Sequence, residues 1–292
     1  MNLLTGSGKS EHFRALILLV ITAVLWSSGG LLIKSIDWHP LAISGARSLI
    51  AAIVIRLAFR GQPLNISKVQ VLGALGYVAT VMMFVSATKL TTAANAIVLQ
   101  YTAPIWVALF GAWFLKEKTT SLDWLTIGLV FGGMILFFQD QMEAGHLMGN
   151  LLAVASGMSM TVMTLAMRKQ KDGSPFGSVL LGNILAFVGG IPFMLDGGPS
   201  LAGWGAIALL GCFQLGLSYV LYSVAIKHVT ALEATIITMI EPILNPIWVF
   251  LLLGEIPGPW SLAGGAIILA AIVARYAIPA LKSTASVQGD RP

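Results

Sequence analysis

Two ionisable side chains stand inside apolar stretches of the chain and are the first candidates for chemistry. Glu241 lies within ALEATIITMIEPILNPIWVFLLLGE, which runs from 231 to 255, and Arg47 lies about eight residues into the apolar stretch from 40 to 59. A charged side chain within the hydrocarbon of a bilayer is costly, so such residues commonly serve a function. A carboxylate there can bind an amine or a proton, and a guanidinium can bind a carboxylate.

Both residues also have a structural interpretation. Glu241 could form an ion pair, for example with Arg47, and never contact a substrate. Arg47 could extend its head group to the membrane surface or brace neighbouring loops. We predict that Glu241 binds substrate, and we assign Arg47 to a gating or structural role.

The residues that share a helical face with Glu241 are small or polar, with one aromatic residue at the end. Pro242 has no backbone N–H and therefore leaves the carbonyl of Thr238 without its helical donor. Free carbonyls at membrane depth are tolerated where they line a wet cavity. We therefore predict that Thr238 and Asn245 bind substrate and that Pro242 is gating or structural. On a 3.6-residue period the face comprises Ala234, Thr238, Asn245 and Trp248.

A second stretch, AANAIVLQYTAPIWVALFGAWFLKEK from 93 to 118, repeats this layout. An offset of 138 residues places Pro104 on Pro242 and Glu117 on Glu255. Charged residues are rare in membrane spans, so the match indicates two related halves. The dipole at a helix C-terminus disfavours negative charge. We therefore expect Glu117 and Glu255 each to have a partner, with Lys116, Lys118 or a residue of another segment as the candidates, and we assign both to gating or packing.

The first copy offers a different polar group at the same depth. Pro104 frees the carbonyl of Gln100, so this residue presents both its amide and its backbone oxygen. Ala103 occupies the position that corresponds to Glu241. We predict that Gln100 binds substrate and that Pro104 is gating or structural. The two half-sites then differ, as recognition of an asymmetric solute requires, although chance divergence would give the same difference.

Aromatic and hydroxyl side chains on other spans would complete a pocket. Tyr77 and Thr80 share a face of the third span. Gln214, Ser218 and Tyr222 share a face of the eighth. Apolar walls with a few polar groups suit a zwitterion with an apolar or aromatic side chain, and ordinary packing is the alternative for each aromatic residue. The predicted substrate-binding set is Trp26, Tyr77, Thr80, Gln100, Tyr101, Trp106, Gln214, Ser218, Tyr222, Thr238, Glu241 and Asn245.

The composition is that of an integral membrane protein. Of the 292 residues, 57% are hydrophobic and 10% are charged, with a mean hydropathy of +0.87. A soluble domain carries about 25% charged residues. The net charge of +5 reflects basic residues in the loops between apolar runs, so we expect a lipid bilayer and no nucleic acid as partner. A lone Cys212 excludes an intramolecular disulfide.

Ten apolar runs are close to the length of about 20 residues that spans a bilayer. Their linkers are short, so the helices must form one compact bundle without an extramembrane domain. With no water in the bilayer core, a closed helical bundle satisfies the backbone. The runs are 14–34, 40–59, 69–88, 93–115, 122–138, 147–167, 176–195, 202–225, 231–253 and 260–281.

The distribution of Lys and Arg predicts the orientation. With the N-terminus in the cytoplasm, fourteen of these residues lie inside and two, Lys34 and Lys89, lie outside. The positive-inside rule therefore predicts that both termini lie in the cytoplasm. We expect the protein in the cytoplasmic (inner) membrane. Five spans per half invert the second half relative to the first, as in many carriers. We predict an all-α fold of ten transmembrane helices, as inverted five-helix repeats at 1–143 and 144–292 around a central cavity.

Signatures of enzymes are missing. The segment GSGKS at 6–10 ends like a phosphate-binding loop, but Leu3 replaces its leading glycine and no strand precedes it. There is no HExxH and no GxSxG pattern. The four histidines are too scattered for a metal site. We expect no enzymatic activity, no cofactor and no metal.

Several features occur in an order that is typical of one group of membrane transporters. They are Trp26-Ser27-Ser28-Gly29 followed by Lys34, then Arg47, then Pro104 with Leu115–Glu117, and finally Pro242 with Gly254–Glu255. In these features the sequence resembles the drug/metabolite transporter superfamily, specifically the EamA-type ten-helix exporters, over nearly its whole length. The resemblance implies export by alternating access, and members of the group export amino acids, some of them aromatic. It also implies a monomer or a homodimer, since the last helix of each half can support dimer packing.

Three functions remain open from the sequence. The first is a secondary exporter of amino acids, aromatic ones among them, and related small metabolites. The second is a proton-coupled multidrug exporter, which needs a titrating carboxylate such as Glu241. The third is a membrane subunit or lipid handler that transports nothing.

Overall fold

The computed structural model describes residues 4–63, 66–139, 146–195, 197–244 and 258–289, and the regular elements within these ranges are all helical. The helices are α1 Leu4–Trp26, α2 Gly29–Ser35, α3 Pro40–Ala58, α4 Lys68–Leu90, α5 Ala93–Gln100, α6 Ala103–Phe114, α7 Ser121–Phe137, α8 Leu147–Lys169, α9 Phe176–Gly190, α10 Leu201–Leu209, α11 Ser218–Ala225, α12 Ala231–Thr238 and α13 Pro259–Gly289. A 3₁₀ turn at Ile191–Met194 follows α9, and a π-helical segment at Leu210–Leu217 joins α10 to α11. Residues 241–244 are also helical.

Seven helices of the described chain are long and apolar enough to cross a membrane, and two shorter apolar helices accompany them. Nine of the ten predicted runs coincide with these helices, while the ninth run in chain order is described only as far as 244. The long ones are Ser10–Ser35, Pro40–Ala58, Lys68–Leu90, Ala93–Phe114, Leu147–Lys169, Phe176–Met194 and Leu201–Ala225, and the short ones are Ser121–Phe137 and Leu262–Arg275.

The fourth and ninth spans are broken at equivalent positions. Helices α5 and α12 begin 138 residues apart and also end 138 residues apart. A non-helical turn follows each of them, at 101–102 and at 239–240, shortly before Pro104 and Pro242 respectively. A proline cannot donate to the preceding turn, which accounts for both breaks. The offset found in the sequence thus reappears as a repeated local structure.

The core of the bundle lies between the two halves of the chain. Helix α4 packs against α8, and α3 packs against α9 and the π-helical segment. A Cβ atom on Gly76 of α4 would lie 2.8 Å from the backbone nitrogen of Met163 of α8, so these two backbones are in close contact. Since α3 and α4 come early in the chain and α8 and α9 come late, a cavity between these helices belongs to both halves.

Helices α7 and α13 pack against each other through glycines. A Cβ atom on Gly264 would lie 2.5 Å from the carbonyl oxygen of Gly133 and 2.5 Å from the backbone nitrogen of Phe137. Gly128 and Gly132, one face away on α7, have open space where their Cβ atoms would be. The glycines of the fifth and tenth spans therefore serve at least this contact within the chain.

Ion pairs gather at the end of the bundle where α1 begins, which we call the charged face. Each of them joins residues far apart in the sequence, and two involve histidine. The pairs are Glu11 with His228, His12 with Glu233, Glu117 with Arg168, and Asp123 with Arg275.

Both halves use a basic residue at the end of their first span to hold a later helix end. Arg168, near the end of α8, donates to the carbonyl oxygens of Ile226 and Lys227 just after α11, at 3.1 and 2.9 Å. Lys34, near the end of α2, donates to the carbonyl oxygen of Thr91 just after α4, at 2.9 Å. A cation beside the carbonyls of a helix C-terminus is favourable.

Candidate functional site

A polar cavity lies in the middle of the bundle beside the breaks of the fourth and ninth spans. Its volume, measured for the centres of water-sized molecules, is about 40 Å³. Six residues of the predicted substrate-binding set line it: Trp26, Thr80, Gln100, Tyr101, Gln214 and Glu241. The remaining lining residues are Arg47, Val81, Phe84, Met160, Leu215 and Tyr219.

Arg47 faces this cavity and is 1% exposed. Its Nη1 donates to Oε1 of Gln214 at 3.0 Å, and its Nε has no hydrogen-bond partner among the described residues. The guanidinium therefore does not extend to the membrane surface, which was one of the structural interpretations considered from the sequence. An arginine head group in the bundle interior with a free N–H can bind an anionic group that enters the cavity.

The π-helical segment decides which residues of the eighth span face the cavity. Gln214, Leu215 and Tyr219 line it, whereas Ser218 and Tyr222 are buried outside its lining in the described structure. The wider turn of a π-helix aligns residues i and i+5, here Gln214 and Tyr219, rather than i and i+4. This arrangement differs from the shared face expected for Gln214, Ser218 and Tyr222, because that expectation assumed a regular 3.6-residue period.

Tyr101 links the two broken spans at the cavity. Its hydroxyl donates to Oε2 of Glu241 at 2.5 Å and lies 2.9 Å from the carbonyl oxygen of Thr238. Thr238 is the last residue of α12, so its carbonyl is one that the helix break leaves available. Thr238 thus contributes through its backbone, while its own hydroxyl donates within α12 to the carbonyl of Ala234 at 3.1 Å.

Gln100 and Thr80 are joined by Ser156, which is not in the predicted substrate-binding set. The side-chain nitrogen of Gln100 donates to Oγ of Ser156 at 2.8 Å, and this hydroxyl donates to the carbonyl of Thr80 at 2.9 Å. Ser156 itself is fully buried. A buried amide held by such a chain has a defined orientation, which leaves its oxygen available on the cavity side.

Aromatic side chains form one wall. Trp26 packs on Tyr219 at 5.2 Å and on Tyr222 at 5.6 Å between ring centroids. The indole nitrogen of Trp26 donates to Oγ of Ser218 at 2.9 Å. Tyr77 lies behind Tyr219, with ring centroids 4.9 Å apart. Two predicted residues, Ser218 and Tyr77, are therefore placed behind the lining residues, as supports of Trp26 and Tyr219.

Arg47 and Glu241 line the same cavity without forming an ion pair with each other. The ion pairs between described residues lie at the charged face. This differs from the alternative in which Glu241 pairs with Arg47. One cationic and one acidic side chain are thus available to charges of a bound solute within one enclosed space.

The cavity is too small in this arrangement to hold a solute of amino-acid size. Its free space admits only a few water molecules, since one water needs about 10–15 Å³ measured in the same way. The walls must move apart before a larger molecule can enter. The structure therefore describes a closed form of the cavity.

Other predicted residues lie away from the cavity or outside the described chain. Trp106 lines a separate groove on the outside of the bundle, and its indole nitrogen donates to Oγ1 of Thr102 at 3.3 Å. The hydroxyl of Tyr222 is 3.1 Å from Oγ1 of Thr164, below the cavity lining. Asn245 and Glu255 lie outside the described residues.

Glu117 ties together three segments at the charged face. Its Oε1 accepts from Nε of Arg168 at 2.7 Å, and its Oε2 accepts from the backbone nitrogen of Ala231 at 2.9 Å. Ala231 is the first residue of α12, where the helix dipole favours an anion. The expected partner of Glu117 is thus a residue of the other half of the chain, and not the neighbouring Lys116 or Lys118.

Tyr219 and Arg168 are two of the site residues that the sequence did not indicate, and the reasons differ. Tyr219 was overlooked because the π-helical segment is not visible in a hydropathy pattern. Arg168 was counted only as a loop charge, although its place at the end of the sixth span matches that of Lys34 in the first. That correspondence could have indicated Arg168 as a structural residue from the sequence.

A membrane-crossing bundle with two equivalently broken helices around a polar cavity at mid-depth is the architecture of a secondary transporter. The EamA-like transporter family matches the chain twice, over residues 13–139 and 147–276. The chain belongs to this family. The predicted fold class, two inverted five-helix repeats of transmembrane helices, is confirmed. The prediction that the protein is a transporter rather than an enzyme is also confirmed. The division between 143 and 144 stays a prediction.

Individual proteins similar to this chain are also transporters. The Pseudopaline exporter CntI of Pseudomonas aeruginosa is 27% identical over 241 residues, which cover 78% of this chain and 83% of that protein. An uncharacterized transporter of Archaeoglobus fulgidus is 24% identical over 257 residues, 87% of this chain and 93% of that protein. The human Solute carrier family 35 member G1 is 22% identical over 280 residues, 87% of this chain and 76% of that protein.

A solved crystal structure shares the fold. It superposes with a TM-score of 0.77 at 20% sequence identity and covers 89% of this chain and 97% of its own. At this identity the likeness speaks for the fold alone, and it agrees with the helical bundle described above.

Proposed function

We propose that the protein is a secondary exporter of amino acids, aromatic ones among them, and related small metabolites. It works by alternating access in the cytoplasmic membrane, with both termini and the charged face in the cytoplasm. The observation that carries the proposal is that one cavity is lined by both Arg47 and Glu241, and that neither forms an ion pair with a described residue. A zwitterion supplies one charge for each.

Recognition follows from the groups on the cavity wall. The carboxylate of the solute binds Arg47, whose position Gln214 maintains. The amine binds Glu241, which Tyr101 orients. An apolar or aromatic side chain packs on Trp26 and on Tyr219. Apolar walls with a few well-placed polar groups are typical of sites for small molecules.

Transport requires the two ends of the bundle to open in turn. Glu117 and Arg168 join the two halves at the charged face and keep that end closed in this form. Breaking their pair opens the cavity to the cytoplasm for loading. Two halves of inverted topology can exchange conformations in this way. The name of the Pseudomonas aeruginosa relative, the Pseudopaline exporter CntI, favours export as the direction of transport.

Counterflow in vesicles that contain only this protein tests the proposal. Vesicles preloaded with an unlabelled amino acid are expected to accumulate the labelled form of the same compound, with a panel of amino acids ranked by initial rate. Gly132→Ala, a change in open space on α7, serves as the matched variant that keeps wild-type flux. Absence of counterflow for every member of the panel would remove the proposal and favour a subunit that transports nothing.

The second candidate is a proton-coupled multidrug exporter, and the half-buried Glu241 without a cationic partner favours it. The same vesicles are assayed with cationic dyes, with and without an imposed proton gradient. A gradient-driven dye flux that Glu241→Gln abolishes identifies this second function. Amino-acid counterflow that is indifferent to the gradient identifies the first.

A further inference from the structure

An open groove on the outside of the bundle carries an inference that is independent of the central cavity. The groove lies between α4, α6 and α8 and has a volume of about 540 Å³, within the range of about 300–1,000 Å³ that is usual for ligand sites. Helix α8 separates it from the cavity, since Met160 lines the cavity while Ser159 and Thr161 line the groove.

The lining of the groove suits a long apolar chain. Four aromatic side chains of α6 and several aliphatic ones of α4 and α8 form it, and Trp113 among them is 82% exposed. The polar groups of the lining are largely used internally. The hydroxyl of Thr161 lies 3.2 Å from the carbonyl of Ala103, and the indole of Trp106 is bonded to Thr102.

The groove and the end of α8 beyond it together span about one leaflet. Its lining on α8 begins at Met158, near the middle of that helix, and α8 ends at Lys169. The lining itself ends at Leu165, about 10 Å along the helix at 1.5 Å per residue, and the further turn to Lys169 brings the distance to about 16 Å. Half of the hydrocarbon thickness of a bilayer is about 15 Å. A single acyl chain of a lipid in the leaflet at the charged face therefore fits along it.

A basic residue stands where the head group of such a lipid would lie. The ammonium of Lys169 is 5.8 Å from the ring centroid of Phe114, which lines the groove and ends α6. Lys169 forms no ion pair with a described residue, whereas the adjacent Arg168 is committed to Glu117 and to backbone carbonyls.

We infer that this groove binds an anionic phospholipid, with one acyl chain between α6 and α8 and the phosphate at Lys169. Basic pockets between transmembrane helices recognise anionic head groups in this way. The bound chain fills the space beside the half-helix α6, whose end leads directly into Glu117. The lipid thereby supports the helix that carries one partner of the closing ion pair.

Tryptophan quenching by brominated lipids tests the site. The full-length protein is reconstituted in phosphatidylcholine that contains a minor fraction of phosphatidylglycerol. Two samples are compared: in one, the phosphatidylglycerol carries bromine on its acyl chains, and in the other, the same amount of phosphatidylcholine carries it. The part of the quenching that Trp113→Phe removes reports on the groove. This part is expected to be about fivefold stronger with brominated phosphatidylglycerol, the factor that corresponds to one lysine beside an anionic lipid.

Two lysine variants decide between a site and general attraction to the membrane surface. Lys169→Gln is expected to abolish the preference for phosphatidylglycerol while the quenching by brominated phosphatidylcholine stays unchanged. Lys171→Gln, which removes the same charge two residues further on, is expected to retain the preference. Equal quenching by the two lipids in the wild-type protein overturns the inference. So does a preference that survives Lys169→Gln.

Discussion

Arg47 is held inside the bundle by one side-chain hydrogen bond, to the amide of Gln214, and its Nε atom remains without a partner. Placing arginine at the centre of a membrane helix costs about 2.5–3.5 kcal/mol on insertion scales. A neutral amide offsets only part of such a cost. A bound carboxylate would satisfy the guanidinium with a charge-assisted hydrogen bond.

Removing the charge of Arg47 is therefore expected to weaken binding of amino acids specifically through their carboxylate. Arg47→Gln should lower the apparent affinity at least about 30-fold, corresponding to about 2 kcal/mol for the loss of one partner of a buried charge pair. Competition against labelled substrate in the counterflow assay measures the change. The matching amino-acid amide, which has no carboxylate, should compete equally well with wild type and variant. A comparable loss for the amide would show that Arg47 acts on the fold and not on the carboxylate.

Helix interruptions, more than continuous helices, build the cavity. The breaks after α5 and α12 release the carbonyl of Thr238 and place Tyr101 between the halves. The π-helical segment brings Gln214 and Tyr219 to one face. A Cβ atom on Gly211 of that segment would lie 2.8 Å from the carbonyl oxygen of Arg47, so the wide turn also packs directly on the helix that carries the cation. Interruptions of this kind recur at functional sites of membrane proteins.

Packing of α7 on α13 depends on a backbone contact that a methyl group would disturb. Gly264→Ala places its Cβ 2.5 Å from two backbone atoms of α7, and backbone cannot yield as a flexible side chain does. We expect the free energy of unfolding to fall by about 1–3 kcal/mol, the usual cost of overpacking.

Thermal unfolding of the purified protein in detergent measures this loss. Gly132→Ala makes the same chemical change on α7 in open space and should leave the midpoint where it is. Equal midpoints for the Gly264→Ala variant and the wild type would mean that the two helices do not pack as described.

At the scale of the whole bundle, contacts at the charged face join its two halves. Glu117 comes from the fourth span, Arg168 from the sixth, and Ala231 from the start of the ninth. The pair of side chains is 22% and 13% exposed, so water screens it only in part. Opening towards this face must separate these groups.

Weakening this contact is expected to shift the protein towards a form open at the charged face. Glu117→Gln retains an oxygen for the backbone N–H of Ala231 but loses the charge that attracts Arg168. If the ion pair contributes about 1 kcal/mol, its loss raises the population of the open form roughly fivefold. The readout is the labelling rate of a cysteine introduced at Met160 in a Cys212→Ser background, with a membrane-impermeant reagent added from that face.

Lys171→Gln, a charge change at the same face away from this contact, serves as the matched control and should leave the labelling rate unchanged. A rate in Glu117→Gln no faster than in the parent protein would exclude the contact as part of the closing mechanism.

Much of the fold is readable from local sequence. Hydropathy locates the spans because each must satisfy its own backbone in lipid, and Pro104 and Pro242 locate the breaks because proline cannot donate. The cost of charge in hydrocarbon singles out Arg47 and Glu241, and both line the cavity. These inferences rest on the residue and its near neighbours along the chain.

Only the tertiary structure showed which side chains face the cavity and which residues pair with each other. Tyr219 rather than Tyr222 reaches the cavity because packing against α3 accompanies a π-helical turn, and Trp106 lies in the outer groove because α6 turns that side to lipid. Arg168 pairs with Glu117 across 51 residues of sequence. Such contacts depend on how two helices approach each other, and no pattern within one helix carries that information.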